Sequence, residues 1–354
     1  MPRTGGRAPR MQPSANPRAP ALELRKIQVT GGASFTVTLP KEWVEKARLA
    51  QGDLIGFVPQ SDGSLAVYPH ARMTPLQTRQ DVELSTEDAE AAFRKIVAAY
   101  LMGYDIIVVK SRKGLTPAAR RAVRLATKRI IGIEVLEEEN DRVVLQDLLD
   151  PREFPIEKGL RRMEVLTRAM QEEGLRAFHE DIELDDAFQE RDDEVDRLYW
   201  MVNKQYHGVM RDPTYAQRLG VTPSQALNYL IAARLIERTA DHAHRLAKNL
   251  QALREGEHQA KLDAKLEKQA KRATQLFTEA LASFHRQDAD GANKLIAEAQ
   301  AFRTTQDAVM REALSLGGES IVHVAYALDS IARTAAYAAD VAETAINQVL
   351  AMRQ

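Results

Sequence analysis

The 354-residue chain contains no cysteine. That removes disulfides, thiolate zinc sites, iron–sulfur clusters and cysteine nucleophiles together. Any bound metal must be held by oxygen or imidazole, and the chain fits a cytoplasmic protein. No apolar run approaches the ~20 residues needed to cross a bilayer, so membrane insertion is not expected. One-sided charge is lacking too: 49 Lys+Arg against 50 Asp+Glu give a net charge of −1. This excludes a uniformly basic nucleic-acid binder but allows one basic face. A Gly-rich phosphate loop is also missing, Lys113-Gly114 alone being too short a signal. What is present, 44% apolar and 28% charged residues, is ordinary for a soluble chain of two or three domains.

Residues 1–20 carry Arg3, Arg7, Arg10 and Arg18, five prolines and no acid. Prolines at that density prevent a helix, and the segment reads as a disordered basic leader able to reach a nucleic-acid backbone. Over 21–72 the texture is short β-type runs. Lys26–Val29 and Phe35–Leu39 alternate, with Pro40 ending the second, and Lys41–Arg48 makes a helical turn or two. Gln51-Gly52-Asp53 turns into a strand over Leu54–Val58. Ser61-Asp62-Gly63-Ser64 reads as the hairpin connection to Leu65–Tyr68. A unit this small cannot close a core alone and should dimerise.

The run Arg25-Lys26, Thr30-Gly31-Gly32-Ala33-Ser34, Val37-Thr38-Leu39-Pro40-Lys41, Gly52-Asp53, Asp62-Gly63 and Val67-Tyr68-Pro69 resembles a SpoVT/AbrB-type (MazE-like) swapped-hairpin domain. The resemblance implies an intertwined homodimer, with DNA contacted through Arg25, Lys26 and Lys41. The chain departs from the family where an Arg often precedes the Val-x-Leu-Pro strand: Ser34 and Phe35 stand there, and Glu42 and Glu45 dilute Lys46.

Residues 81–150 read as a small α/β sandwich of order β-α-β-α-β-β, serving as a connector. Its helices are Thr86–Tyr100, capped by Ser85 or Thr86, and Pro117–Ile130, capped by Thr116 with Pro117 in the first turn. Tyr104–Val109 is a buried strand, and Gly132–Leu136 with Val143–Leu145 a hairpin around an acidic turn. Beyond Pro155 the pattern is helical. Breaks at 181–185, 212–221, 254–258, 286–291 and 316–318 leave six long helices, hence two tandem three-helix bundles over 156–253 and 257–354. An internal repeat supports the division. Leu235-Ile236-Glu237-Arg238-Thr239-Ala240-Asp241-His242-Ala243 realigns, shifted by 95, on Ser330-Ile331-Ala332-Arg333-Thr334-Ala335-Ala336-Tyr337-Ala338.

Carboxylates four apart share a helix face. Asp192 with Asp196 and Glu237 with Asp241 are two such pairs. If the helices flanking the break at 212–221 fold into an antiparallel hairpin, residues whose numbers sum to 433 lie at one height. Asp192 then faces Asp241, and Asp196 faces Glu237. Four convergent acids call for a cation, and oxygen ligands suit Mg²⁺, Ca²⁺, Mn²⁺ or iron. His242 turns away from this patch and reads as a solvated or packing residue. The rival reading is a salt-bridge face, with Arg191, Arg197, Arg234 and Arg238 pairing the acids.

These residues, Asp192-Asp193-Glu194-Val195-Asp196-Arg197-Leu198-Tyr199 and Arg234–Ala243, resemble the PhoU family. Its halves carry Glu/Asp-x-x-x-Asp motifs, at which several members bind metal clusters. The resemblance covers 156–354 and implies one site, a divalent or ferric ion on Asp192, Asp196, Glu237 and Asp241. In the second half Ala332 and Ala336 replace the acids, with Arg303 and Ala299 opposite, so no second acidic cluster is expected. The whole chain is similar to prokaryotic phosphate-uptake regulators. It would be a non-enzymatic homodimer that docks a phosphate transporter or sensor protein and contacts DNA. The alternative is an AbrB-type transcriptional repressor or antitoxin-like protein not tied to phosphate. A ferritin-like di-iron enzyme needs Glu-x-x-His pairs; Glu255-Gly256-Glu257-His258 has that spacing but falls in a break.

Overall fold

The computed structural model describes residues 23–32, 34–59, 63–69, 77–84, 87–112, 114–180, 184–255, 260–314 and 320–352. The basic leader and the tip residues Ser61 and Asp62 lie outside that set. The chain divides into two compact units, one of Met1–Val58 with Leu65–Thr74, the other of Pro59–Ser64 with Pro75–Gln354.

The first unit has two two-stranded ribbons, the first of them antiparallel, and a short helix. Strand β1 (Gln28–Thr30) pairs with β2 (Ser34–Thr36), placing Val29 opposite Phe35. Gly31 and Gly32 turn between them at φ +65 and +81, a backbone region that L side chains adopt at a cost. Helix α1 (Lys41–Lys46) starts at Pro40, and β3 (Ile55–Pro59) pairs with β4 (Leu65–Pro69). The ribbons are shorter than the alternating runs suggest: β2 stops at Thr36, although the apolar pattern continues to Leu39. The reason lies in the side chains. Ile27 and Phe35 are 71% and 77% exposed, and Val29, Leu54, Phe57 and Leu65 are exposed as well. Among the described residues these apolar side chains are left uncovered, and short ribbons without a covered face do not extend.

The second unit opens with a four-stranded sheet of order β5-β6-β8-β7, made of β5 (Arg79–Glu83), β6 (Ile106–Lys110), β7 (Ile133–Glu138) and β8 (Arg142–Asp147). Strands β5 and β6 run parallel through the crossover helix α2 (Ala89–Leu101), and the other pairings are antiparallel. Helix α3 (Pro117–Arg129) is capped by Thr116, whose hydroxyl accepts from Ala119 N–H. Asp88, by contrast, caps α2 through Glu90 N–H; Ser85 and Thr86 lie outside the described residues. Tyr100, Ile96, Ile107, Ile133 and Leu145 form the core of this layer, with Trp200 packed against it from the helical body.

Seven helices follow: α4 (Ile156–His179), α5 (Asp186–Arg211), α6 (Pro213–Leu219), α7 (Pro223–Arg254), α8 (Ala260–Arg286), α9 (Ala289–Ala313) and α10 (Ser320–Ala351). The 212–221 break thus contains a helix of its own. Asp212 caps it, Pro213 occupies its first turn, and Gly220 ends it at φ +68. Helices α4, α5 and α7 form one three-helix group, and α8, α9 and α10 the other. A single apolar core runs through both, because α7 also packs along α10. Asn228 donates to Gln348 (3.0 Å, buried), His242 lies against Tyr337 (5.8 Å between ring centres), and Asn249 meets His323 (3.0 Å). Partner numbers fall on α10 as they rise on α7, so this seam is antiparallel.

The sheet layer is fastened to the helices rather than strung between domains. Lys204 of α5 forms an ion pair with Asp147 at the end of β8, both side chains being almost fully buried. Its ammonium also lies 5.1 Å from the Tyr100 ring centre. Phe93 meets Trp200 at 5.9 Å, and the Arg211 guanidinium donates to the carbonyls of Met102 and Gly103. Among the described residues no helix is long and apolar enough to cross a membrane.

Candidate metal centre

The site sits where α5 and α7 run side by side. Arg234 of α7 donates to the hydroxyl of Tyr199 on α5 (2.9 Å), and these numbers also sum to 433. The two helices therefore pair in the register inferred from their acids, even with α6 in the connection. Tyr199 is further held by the Arg234 guanidinium over its ring at 5.3 Å.

This register brings Asp196, Glu237 and Asp241 together, each offering a carboxylate oxygen within 4.8 Å of the others. Asp192, the fourth expected member, turns aside: its Oδ2 is 2.9 Å from His244 Nδ1. His244 is the residue that sequence reasoning missed. Its signal was the Asp-x-x-His spacing from Asp241, which puts both on one face. The His244 ring is itself fixed by an edge contact with Phe188 at 5.5 Å. Beside the trio, Asp192, Asp241, His242, His244, Arg245 and Lys248 line a surface hollow of about 470 Å³. His242 faces Tyr337, and burial lowers its pKa, so it is a packing residue.

The acids are under electrostatic pressure. Burial first, then the charges of Glu237, Asp192 and Asp241, raise Asp196 to about 7. Burial and Asp241 raise Glu237, against the pull of Arg234 and Arg238; burial and Asp192 raise Asp241. The four arginines engage the acids only in part, Arg234 and Arg238 both drawing down the pKa values of Glu237 and Asp241. Arg191 is engaged by Glu173 (2.6 Å), and Arg234 forms a loose ion pair with Glu237 (3.8 Å). Arg197 and Arg238 make no ion pair among the described residues. Glu237 Oε2 is buried without a hydrogen-bond partner. Repelling carboxylates, one with an orphaned oxygen, fit a hard cation, for which they supply the oxygen donors.

In the second half Ala299, Ala332 and Ala336 border a shared groove, and the side chain of Arg303 lies outside what is described. The DNA candidates lie in the first unit: Arg25 pairs with Glu23, Lys41 lies 3.7 Å from Glu45, and Lys26 is exposed. Arg25 and Lys26 precede β1, while Lys41 opens α1.

The PhoU domain model matches residues 160–250, which hold the acid trio, and stops before the half that has alanines in their place. The model for the MazE bacterial antitoxin, an antidote for toxin recognition, matches residues 28–74. Neither the curated proteins nor the solved structures returned a match. Both matched families are regulatory domains rather than enzymes. The chain thus carries one segment similar to the MazE antitoxin and a second similar to the PhoU domain.

Proposed function

We propose that this protein is a non-enzymatic regulator of phosphate uptake and phosphate-responsive signalling. The carrying observation is that the one segment matching PhoU is also the segment in which three carboxylates converge. Asp196, Glu237 and Asp241 would hold a divalent or ferric ion, with Asp192 and His244 as the bordering layer. Such an ion supplies fixed positive charge, which offsets the burial and the mutual repulsion that raise all three pKa values. The surrounding helices offer long exposed faces for a phosphate transporter or sensor protein.

The exposed apolar ribbons of the first unit support a homodimer closed by a second copy. Arg25, Lys26 and Lys41 on that unit would contact the DNA backbone, where each lost charge lessens the salt dependence. The MazE match alone favours a second reading, a DNA-binding repressor or antitoxin-like protein unrelated to phosphate. One experiment separates the two. Phosphate uptake is measured in cells carrying the wild-type chain or the Asp196→Asn/Glu237→Gln variant, alongside DNA binding by each purified protein. Altered uptake with unchanged DNA binding supports the phosphate role. Unchanged uptake in both the variant and a deletion strain removes it.

A further inference from the structure

Exposed cations on the long helices are commonly answered by an acid one turn away. On α4, Arg161 pairs with Glu157 (2.8 Å), Arg168 with Glu172 (3.8 Å) and Arg176 with Glu180 (3.7 Å). On α8, Lys271 pairs with Glu267 (2.5 Å). Helix α3 breaks this pattern. Over Pro117–Arg129 it holds Arg120, Arg121, Arg124, Lys128 and Arg129, and no acid.

Two of these cations are engaged within the fold. Arg120 donates to Glu138 on β7 (2.5 Å), and Arg129 donates to Asp193 on α5 (3.4 Å). The other three, Arg121, Arg124 and Lys128, are exposed and make no ion pair among the described residues. Spacings of three and four residues put them on one face, opposite the buried Ala119, Ala122, Val123 and Ala126. Like charges at such spacings repel and weaken a helix, and a bound polyanion removes that repulsion. Acids border one end of the stripe: Glu87, Asp88 and Glu90, around the start of α2, line a hollow with Arg121. Arg124 and Lys128 lie about 4.5 and 10 Å further along the axis, toward the other end.

The chemistry of the face narrows the partner. None of the large apolar side chains of α3 is exposed, so the helix has no face to insert into a bilayer surface. Its length suits a regular polyanion. A DNA strand carries one charge per roughly 3.4 Å of axis, so cations spread over about 10 Å meet about three phosphates. Two of the three are arginines, whose planar fork matches phosphate oxygens.

We infer that the exposed face of α3 contacts the DNA backbone, with Arg121, Arg124 and Lys128 each on a phosphate. These residues are distinct from Arg25, Lys26 and Lys41 of the first unit, and their role rests on the same DNA-contacting reading. The contact reads no base sequence, because phosphate contacts position a protein on a duplex without specifying where.

The test is fluorescence anisotropy of the full-length protein on a labelled random-sequence duplex, from about 50 to 200 mM KCl. Wild type is expected to bind with an affinity that falls steeply with salt. Arg121→Gln/Arg124→Gln/Lys128→Gln should weaken binding about tenfold or more at the lowest salt. It should also lower the slope of log affinity against log salt by about three. Arg161→Gln/Arg168→Gln/Arg176→Gln removes the same charge from the acid-paired arginines of α4 and should leave the slope unchanged. Circular dichroism checks that each variant is folded; should the α3 triple variant misfold, Arg124→Gln alone is expected to lower the slope by about one. Arg25→Gln/Lys26→Gln/Lys41→Gln separates the two surfaces. An α3 effect that persists in this background supports the inference whatever the first unit contributes. Binding lost through the first unit alone overturns it and leaves the earlier reading standing. No duplex binding by wild type, equal weakening by the α3 and α4 variants, or preference for phosphatidylserine vesicles over the duplex would each overturn it too.

Discussion

Asp192 and His244 are joined across α5 and α7 at 2.9 Å, which takes one of four acids out of the cluster and makes it the partner of an imidazole. The site is thereby graded: three oxygens face one another, and a fourth carboxylate steadies a neighbouring ring. Metal loading is therefore predicted to respond unequally. Asp196→Asn/Glu237→Gln should abolish loading, read by elemental analysis of protein purified with Mn²⁺ or iron. His244→Ala should lower affinity about tenfold, as a lost outer partner does. Equal metal content in all three proteins would dismiss the site.

The same cluster sets a pH dependence in metal-free protein. Asp196 is raised to about 7, so the folded state holds a proton that an unfolded Asp has lost. This contribution is fully present below about pH 4 and disappears as pH rises through about 7. Melting temperatures measured across that window should fall less steeply for Asp196→Asn than for wild type. Added Mn²⁺ should restore stability at pH 7.5 in wild type only.

Lys204 and Asp147 make a different prediction, because their side chains are 7% and 4% exposed. Removing one partner strands the other charge in a poorly solvated place, typically at about 3–5 kcal/mol. Lys204→Met is expected to lose that much in denaturant unfolding. The double variant Lys204→Met/Asp147→Asn should recover most of it, since Asn retains an oxygen for the Leu149 N–H that Asp147 now accepts.

The first unit is predicted to be completed by a second copy. Phe35→Glu places a charge on the exposed apolar ribbon and should shift the protein from dimer to monomer in light scattering. The helical content should not change. A wild-type mass equal to one chain would contradict the assembly.

Much of the helical half can be read from residue numbers. The sum of 433 follows from the break position, and the Tyr199–Arg234 bond obeys it. Alpha6 was equally legible in its parts, with Asp212 before Pro213 and Gly220 after, yet those signals also mark a loop. What periodicity does not carry is side-chain direction. Nothing in the spacing says that Asp192 leans to His244 rather than to Asp241. Nor does it mark Lys204, whose charge argues for the surface until its partner on β8 is known. In the first unit, apolar alternation overstates the strands, because the side chains that carry it, such as Val29 and Phe35, stay exposed.

The seam between α7 and α10 bears on how this protein can be cut. The stretch that carries the family likeness ends at 250, but its longest helix rests on α10, where Asn228 finds Gln348 out of water. An excised 160–250 fragment would bare that alanine-rich face and leave Lys204 without its counter-charge. The segment that the family likeness marks out is therefore smaller than the packed unit it belongs to, and the half with alanines covers a face of the half with the acids.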